Sequence, residues 1–134
     1  MDSREISLHT GDAVVTDVTE HIRHFCRGRG DGLCHVFAPH ATAGLALIET
    51  GAGSEPDLAE AVERLLPRDD RYRHRHGSRG HGGDHVLPAF VSPSLVLAVR
   101  KGEPRLGTWQ SVVFVDPNLD NAERRLWLSF LPST

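Results

Sequence analysis

No long apolar run occurs in the chain. The longest stretches are a few residues, such as Leu95-Val96-Leu97-Ala98-Val99, far short of the roughly 20 that a membrane-spanning helix needs. Met1-Asp2-Ser3-Arg4-Glu5 shows no basic segment followed by an apolar stretch, which argues against a secretory signal. Cysteine is scarce: Cys26 and Cys34 only, without CxxC spacing, so buried free thiols in a reducing compartment are expected. Basic excess is missing too. Fifteen Lys+Arg against eighteen Asp+Glu leave a formal charge of −3, which disfavours nucleic acid as the main partner. No P-loop, GxGxxG, GxSxG or HExxH pattern is present, and these absences remove the commonest phosphate, dinucleotide, hydrolase and metalloprotease readings. A cytoplasmic protein that binds neither membrane nor nucleic acid is the expectation.

What is present is one domain's worth of chain, expected to span residues 1–134. At 134 residues with 39% hydrophobic content, folding buries roughly two-thirds of the unfolded surface, enough for one core. The compositional oddity is histidine. Of nine, His74, His76, His81 and His85 fall within the eighteen residues from Arg68 to His85.

Ile6 and Leu8 alternate with polar neighbours and predict an edge strand. Thr16 or Asp17 is a suitable N-cap for a helix burying Val18, Ile22, Phe25 and Cys26, ended by Gly28, Gly30 and Gly32. Leu33–Phe37 alternates as a strand, and Leu45–Ile48 reads as a more buried one. Ser54-Glu55-Pro56-Asp57 opens a helix with a capping serine, and Leu58, Ala61, Val62 and Leu65 recur at helical spacing before Pro67. Arg68–Asp84, with four glycines and five arginines, lacks periodicity and reads as a long loop, a class usually functional or disordered. His85-Val86-Leu87 begins a short helix capped by Asp84. Strands follow at Leu95–Val99, Trp109–Val115 and Leu126–Phe130, with turns at Lys101-Gly102-Glu103-Pro104 and Asp116-Pro117-Asn118. Two or three helices beside about six hairpin-joined strands predict an α+β domain with antiparallel pairing.

Several constellations carry candidate chemistry. Neutral imidazole is a good ligand for Zn²⁺, and His40, His74 and His85 come together if the glycine-rich loop folds its two ends onto a strand end. The alternative is a solvated polar loop. Gly107-Thr108-Trp109-Gln110 offers an aromatic wall with an orienting amide, or a core or interface tryptophan. Glu49 is a candidate general base or partner of a histidine, or a solvated carboxylate. Arg105, Arg124 and Arg125 are candidates for phosphate binding, or exposed strand charges.

In this order, Pro39-His40-Ala41-Thr42-Ala43-Gly44, Glu49, Leu65-Leu66-Pro67, Tyr72-Arg73-His74, His85, Ser94-Leu95-Val96-Leu97 and Lys101-Gly102 through Gly107-Thr108-Trp109-Gln110 resemble the YjbQ family, whose members are usually described as secondary thiamine-phosphate synthases. The resemblance implies antiparallel, sandwich-like sheets flanked by helices, a homotrimer, and a divalent metal, zinc in the first instance, on His40, His74 and His85. It further implies Glu49 and Gln110 as catalytic residues and Thr42, Trp109, Arg105 and Arg124 as substrate-binding ones. The chain departs from the family pattern at Ala41, Ile48 and Ser92, and His81 stands where asparagine is usual, as an additional candidate ligand.

The family label implies joining a pyrimidine-methyl diphosphate to a thiazole phosphate, a small phosphorylated heteroaromatic pair. Mg²⁺ is the ion for such chemistry, yet it prefers carboxylates and water. Three histidines suit a zinc-hydroxide hydrolase better. A non-catalytic trimeric metal or metabolite module is the alternative.

Overall fold

The run Ser111-Val112-Val113-Phe114-Val115 is apolar without alternation, the pattern of a strand covered on both faces. In the computed structural model, which describes residues 1–75 and 77–134, it forms a central strand whose four apolar side chains are all fully buried. Val112 and Phe114 point into one apolar cluster, Val113 and Val115 into another.

In chain order the elements are β1 (Asp2–His9), β2 (Val15–Asp17), α1 (Thr19–Cys26), β3 (Gly32–Phe37), β4 (Gly44–Ile48), α2 (Ser54–Leu65), α3 (His81–Asp84), a 3₁₀ turn (Leu87–Ala89), β5 (Ser94–Arg100), β6 (Glu103–Pro104), β7 (Ser111–Val115) and β8 (Glu123–Pro132). One sheet has the order β1-β8-β3-β5-β6 and the other β2-β7-β4, with antiparallel pairing throughout. The fold is therefore α+β with antiparallel sheets, as the strand and helix pattern predicts.

The larger cluster is a sandwich interior. Cys34 and Val36 of β3, Leu97 and Val99 of β5, and Leu126, Leu128 and Phe130 of β8 meet Val112 and Phe114 of β7. Ile22, Phe25 and Cys26 of α1 complete it. The second cluster joins the other face of β7 to Val62 of α2 and to Leu87, with Leu58 and Leu66 against it.

Several expectations shift when placed in space. The N-cap of α1 is Val18, although the Asp17 carboxylate accepts the Thr19 N–H at 2.9 Å. Gly53, at φ 92°, rather than Ser54, caps α2, and the Glu55 carboxylate reaches back to the Gly51 N–H. The buried stripe of α2 runs Leu58, Val62, Leu66; Leu65 is exposed. Lys101 and Gly102 alone make the hairpin turn, both at positive φ, so Glu103 and Pro104 already pair with β5. Trp109 and Gln110 lie in a turn before β7 instead of inside it.

On its outward side the five-stranded sheet is unusually apolar. Leu33 pairs with Ala98 and Leu131, and Phe37 with Trp127, and Leu33, Val96, Trp127 and Leu131 are exposed. Inside, Phe114 is fully buried between the sheets. Phe114→Ala should therefore cost about 3–5 kcal/mol of unfolding free energy, read as a lowered urea midpoint at unchanged m-value.

Candidate metal centre

Arg68–Asp84 is less irregular than its composition suggests. His81–Asp84 is a helical turn despite two glycines. Tyr72 explains them: a Cβ on Gly82 would sit 2.5 Å from the Tyr72 Cβ, and one on Gly83 2.8 Å from its hydroxyl oxygen. The tyrosine is itself fixed, donating its O–H to the Pro67 carbonyl at 2.8 Å. With no side chains between them, the Tyr72-Arg73-His74 stretch of the loop lies directly on α3. The expected helix at His85-Val86-Leu87 thus begins four residues earlier, and Asp84 closes it rather than capping its start.

This packing brings three imidazoles together. His81 and His85, four residues apart across the end of α3, have ring centroids 4.4 Å apart, and His74 stands 4.2 Å from His85 and 5.5 Å from His81. One nitrogen from each ring falls within 4.8 Å of the others. His74 is exposed, His81 nearly buried and His85 between. His76 lies outside the described residues.

His81 is the most tightly held. Asn118 Oδ1 accepts the Asp120 N–H at 2.9 Å, so the amide nitrogen faces His81 and donates to Nδ1 at 2.5 Å. A neutral His81 ring then carries its proton on Nε2, which donates to His85 Nε2 at 2.6 Å. Two carboxylates flank Nδ1 beyond hydrogen-bond reach, Asp120 at 3.8 Å and Asp84 at 3.9 Å. Asp84 is buried and ion-paired with Arg68. Burial pushes its carboxyl above the ordinary carboxylate value against the lowering effect of the guanidinium.

Asn118 is fixed in turn by a buried polar network. Its N–H donates to Asp116 Oδ1, which also accepts the Thr42 hydroxyl at 2.8 Å. Arg124 donates Nε to Asp116 Oδ2 at 2.8 Å and reaches the Asn118 carbonyl. Thr42 and Arg124, expected as substrate contacts, are thus both buried and engaged with Asp116.

The remaining expected residues lie apart from the cluster. His40 sits beyond the end of β3, where its Nε2 accepts the Arg125 main-chain N–H at 2.9 Å and its ring meets Phe114 edge-on. Burial, with the nearby Arg124 charge, lowers its pKa below the usual histidine value. Within this chain that Nε2 lone pair is engaged by the Arg125 N–H, and the ring that stands beside His74 and His85 is His81. Gln110 folds back on its own turn, accepting the Gly107 N–H at 2.8 Å. Trp109 is 74% exposed, and Glu49 and Arg105 are exposed as well. His81, which the sequence offers as an additional candidate ligand, lies four residues before His85, a spacing that puts two rings on one helical face.

Residues 4–133 match the family described as UPF0047 protein YjbQ-like. A UPF0047 protein of Mycobacterium tuberculosis is 57% identical over 131 residues, covering 98% of both chains. The UPF0047 protein YjbQ of Escherichia coli O157:H7 is 28% identical over 99 residues, covering 71% of this chain and 70% of that one. Among solved structures, a hypothetical protein of Aeropyrum pernix superposes with a TM-score of 0.88 at 27% identity, covering 99% of this chain and 100% of its own. A conserved hypothetical protein of Thermus thermophilus gives 0.79 at 27% identity, covering 96% and 99%. With the match spanning all but its first three residues and its last, the chain belongs to the YjbQ/UPF0047 family.

Proposed function

We propose that this protein binds a divalent metal ion, zinc or one like it, through His74, His81 and His85, and acts as a metal-dependent enzyme on a small-molecule substrate. The convergence of three imidazoles, one from the loop at His74 and two from the two ends of α3, carries this reading. An ion at about 2.0–2.1 Å from each nitrogen needs ligand atoms roughly 3.3 Å apart; His81 Nε2 and His85 Nε2 are 2.6 Å apart, and a nitrogen of each of the three rings lies within 4.8 Å of the others. Such an ion supplies Lewis-acid polarisation when bound.

The chain's own residues set the conditions. Ligation through Nε2 of His81 moves the ring proton to Nδ1, where Asn118 now donates. Asp120, on a half-exposed side chain 3.8 Å away, is the acceptor able to close on that proton; Asp84 is held off by Arg68. Three imidazoles flanked by carboxylates favour hydrolysis over a condensation that releases diphosphate. Arg124 is committed to Asp116 and brings no positive charge to the cluster.

One observation favours a second reading, a non-catalytic metal or metabolite module: Glu49, Trp109 and Gln110 stay away from the histidines within one chain. A homotrimer joined through the apolar outward face of the five-stranded sheet accommodates both readings, since another subunit can then deliver residues to the cluster. Leu33→Glu should lower the mass measured by light scattering to that of the monomer.

Metal titration of tag-free protein tests the ligand set. His81→Ala or His85→Ala should weaken Zn²⁺ or Co²⁺ binding by more than the roughly 10–100-fold typical of outer partners, and His40→Ala should leave it unchanged. Loss of binding in His40→Ala with retention in His81→Ala would sink this assignment. Asn118→Asp turns a donor to Nδ1 into an acceptor, places the proton where ligation needs it, and should tighten binding about tenfold.

A further inference from the structure

β1 and β8 pair at one end through Ser7–His9 and Glu123–Arg125. There they meet His40 and Asn121 around a cleft of about 380 Å³, the size of a small-molecule site. Among the described residues Leu8 is the only apolar side chain on its lining, so the cleft favours a polar occupant. None of His74, His81 and His85 lines it.

Two main-chain N–H groups fix what this cleft offers. The Arg125 N–H donates to Nε2 of His40, and burial, with the Arg124 charge nearby, disfavours protonating that ring. The one ring proton is therefore on Nδ1, which makes no hydrogen bond among the described residues. In the same way the Glu123 N–H donates to Asn121 Oδ1 at 3.0 Å, so the amide nitrogen of Asn121 is left as a second donor. The Arg125 guanidinium is a third. Its ion pair with Glu5 is a 3.7 Å contact between two exposed side chains, a class worth little. Arg124 also lines the cleft, but Asp116 balances its charge. The one carboxylate on the lining, Glu123, is 77% exposed and reaches only to His9, at 3.9 Å, so it is able to turn to solvent. Three donors from separate parts of the chain thus line one polar cleft without a matching acceptor.

We propose that this cleft binds a small, hydroxylated phosphate monoester. Three terminal phosphate oxygens answer three separate donors, where a carboxylate offers two oxygens. The hydroxyl groups of the ligand's body meet Ser7 and the solvated rim. Arg125 supplies the charge, while the imidazole and the amide fix the orientation of the anion. With one exposed guanidinium, affinity in the millimolar range is expected, about 4 kcal/mol. The inference uses no metal and does not rest on the reading of the histidine cluster.

An NMR titration of the full, metal-free chain with glycerol 3-phosphate tests this. Saturable amide shifts should appear at Leu8, Asn121 and Arg125, and glycerol should leave these amides unmoved. Glycerate, which carries a carboxylate instead, should bind about fivefold more weakly, the worth of one hydrogen bond. Asn121→Asp keeps the oxygen that accepts the Glu123 N–H but replaces the donor with a negative oxygen, and should weaken binding about tenfold. Arg125→Gln should weaken it about threefold to fivefold, as for an exposed charge contact. Both residues are exposed, so neither change disturbs the core. Glycerol or glycerate binding as tightly as the phosphate overturns the proposal. So do undiminished binding in both variants, shifts confined to residues 74–85, and no saturation by concentrations on the order of 10 mM. Because no metal is present, every one of these results leaves the histidine assignment to its own test.

Discussion

The Asp116 carboxylate is the interaction on which the site depends. It sits at the end of β7, 2% exposed, and receives the Thr42 hydroxyl, the Asn118 N–H and the Arg124 guanidinium. Those three come from the loop before β4, the turn after β7 and the start of β8. A buried ion pair of this kind adds little net stability compared with apolar packing, but removing one partner is expensive. Its value here is geometric. It holds the turn that carries Asn118, and Asn118 sets the orientation and tautomer of His81.

That dependence reaches down to the hydrophobic pattern. β7 is pinned on both faces, by the sandwich interior and by α2, so its C-terminal end is a rigid place to mount a carboxylate. The loop with the histidines has little apolar content of its own. It is anchored instead by Arg68 pairing with Asp84, by the tyrosine hydroxyl on Pro67, and by Asn118 from outside.

Much of the fold was legible because period and burial agree. Cys34 and Val36, Leu126, Leu128 and Phe130, and Ile22, Phe25 and Cys26 all sit where alternation or helical spacing puts them. The differences fall at element boundaries, as at Gly53 and Glu103, where a left-handed backbone at Gly53 and at Lys101-Gly102 sets the edge. For the candidate site, the crowded histidines near Gly80 mark the loop at whose ends His74 and His85 meet. His81 was legible only as an additional candidate ligand. Gly82 and Gly83 are poor helix formers, and their reason for being there, the absence of room beneath Tyr72, is a tertiary fact. His40 reads as a ligand from its place in a motif and Arg124 as a phosphate or substrate contact from its charge, whereas within one chain their polar atoms face Arg125 and Asp116.

The Gly82-Gly83 pair has a consequence for the order in which the molecule assembles. A four-residue turn with two glycines has no independent tendency to form, so α3 exists only once Tyr72 has settled against it. Tyr72 in turn waits for the end of α2, and Asn118 waits for β7 and β8. The three imidazoles thus meet only where the end of α2, Tyr72 and the β7–β8 connection are all in place. Competence to hold a ligand there reports on the integrity of the entire sandwich.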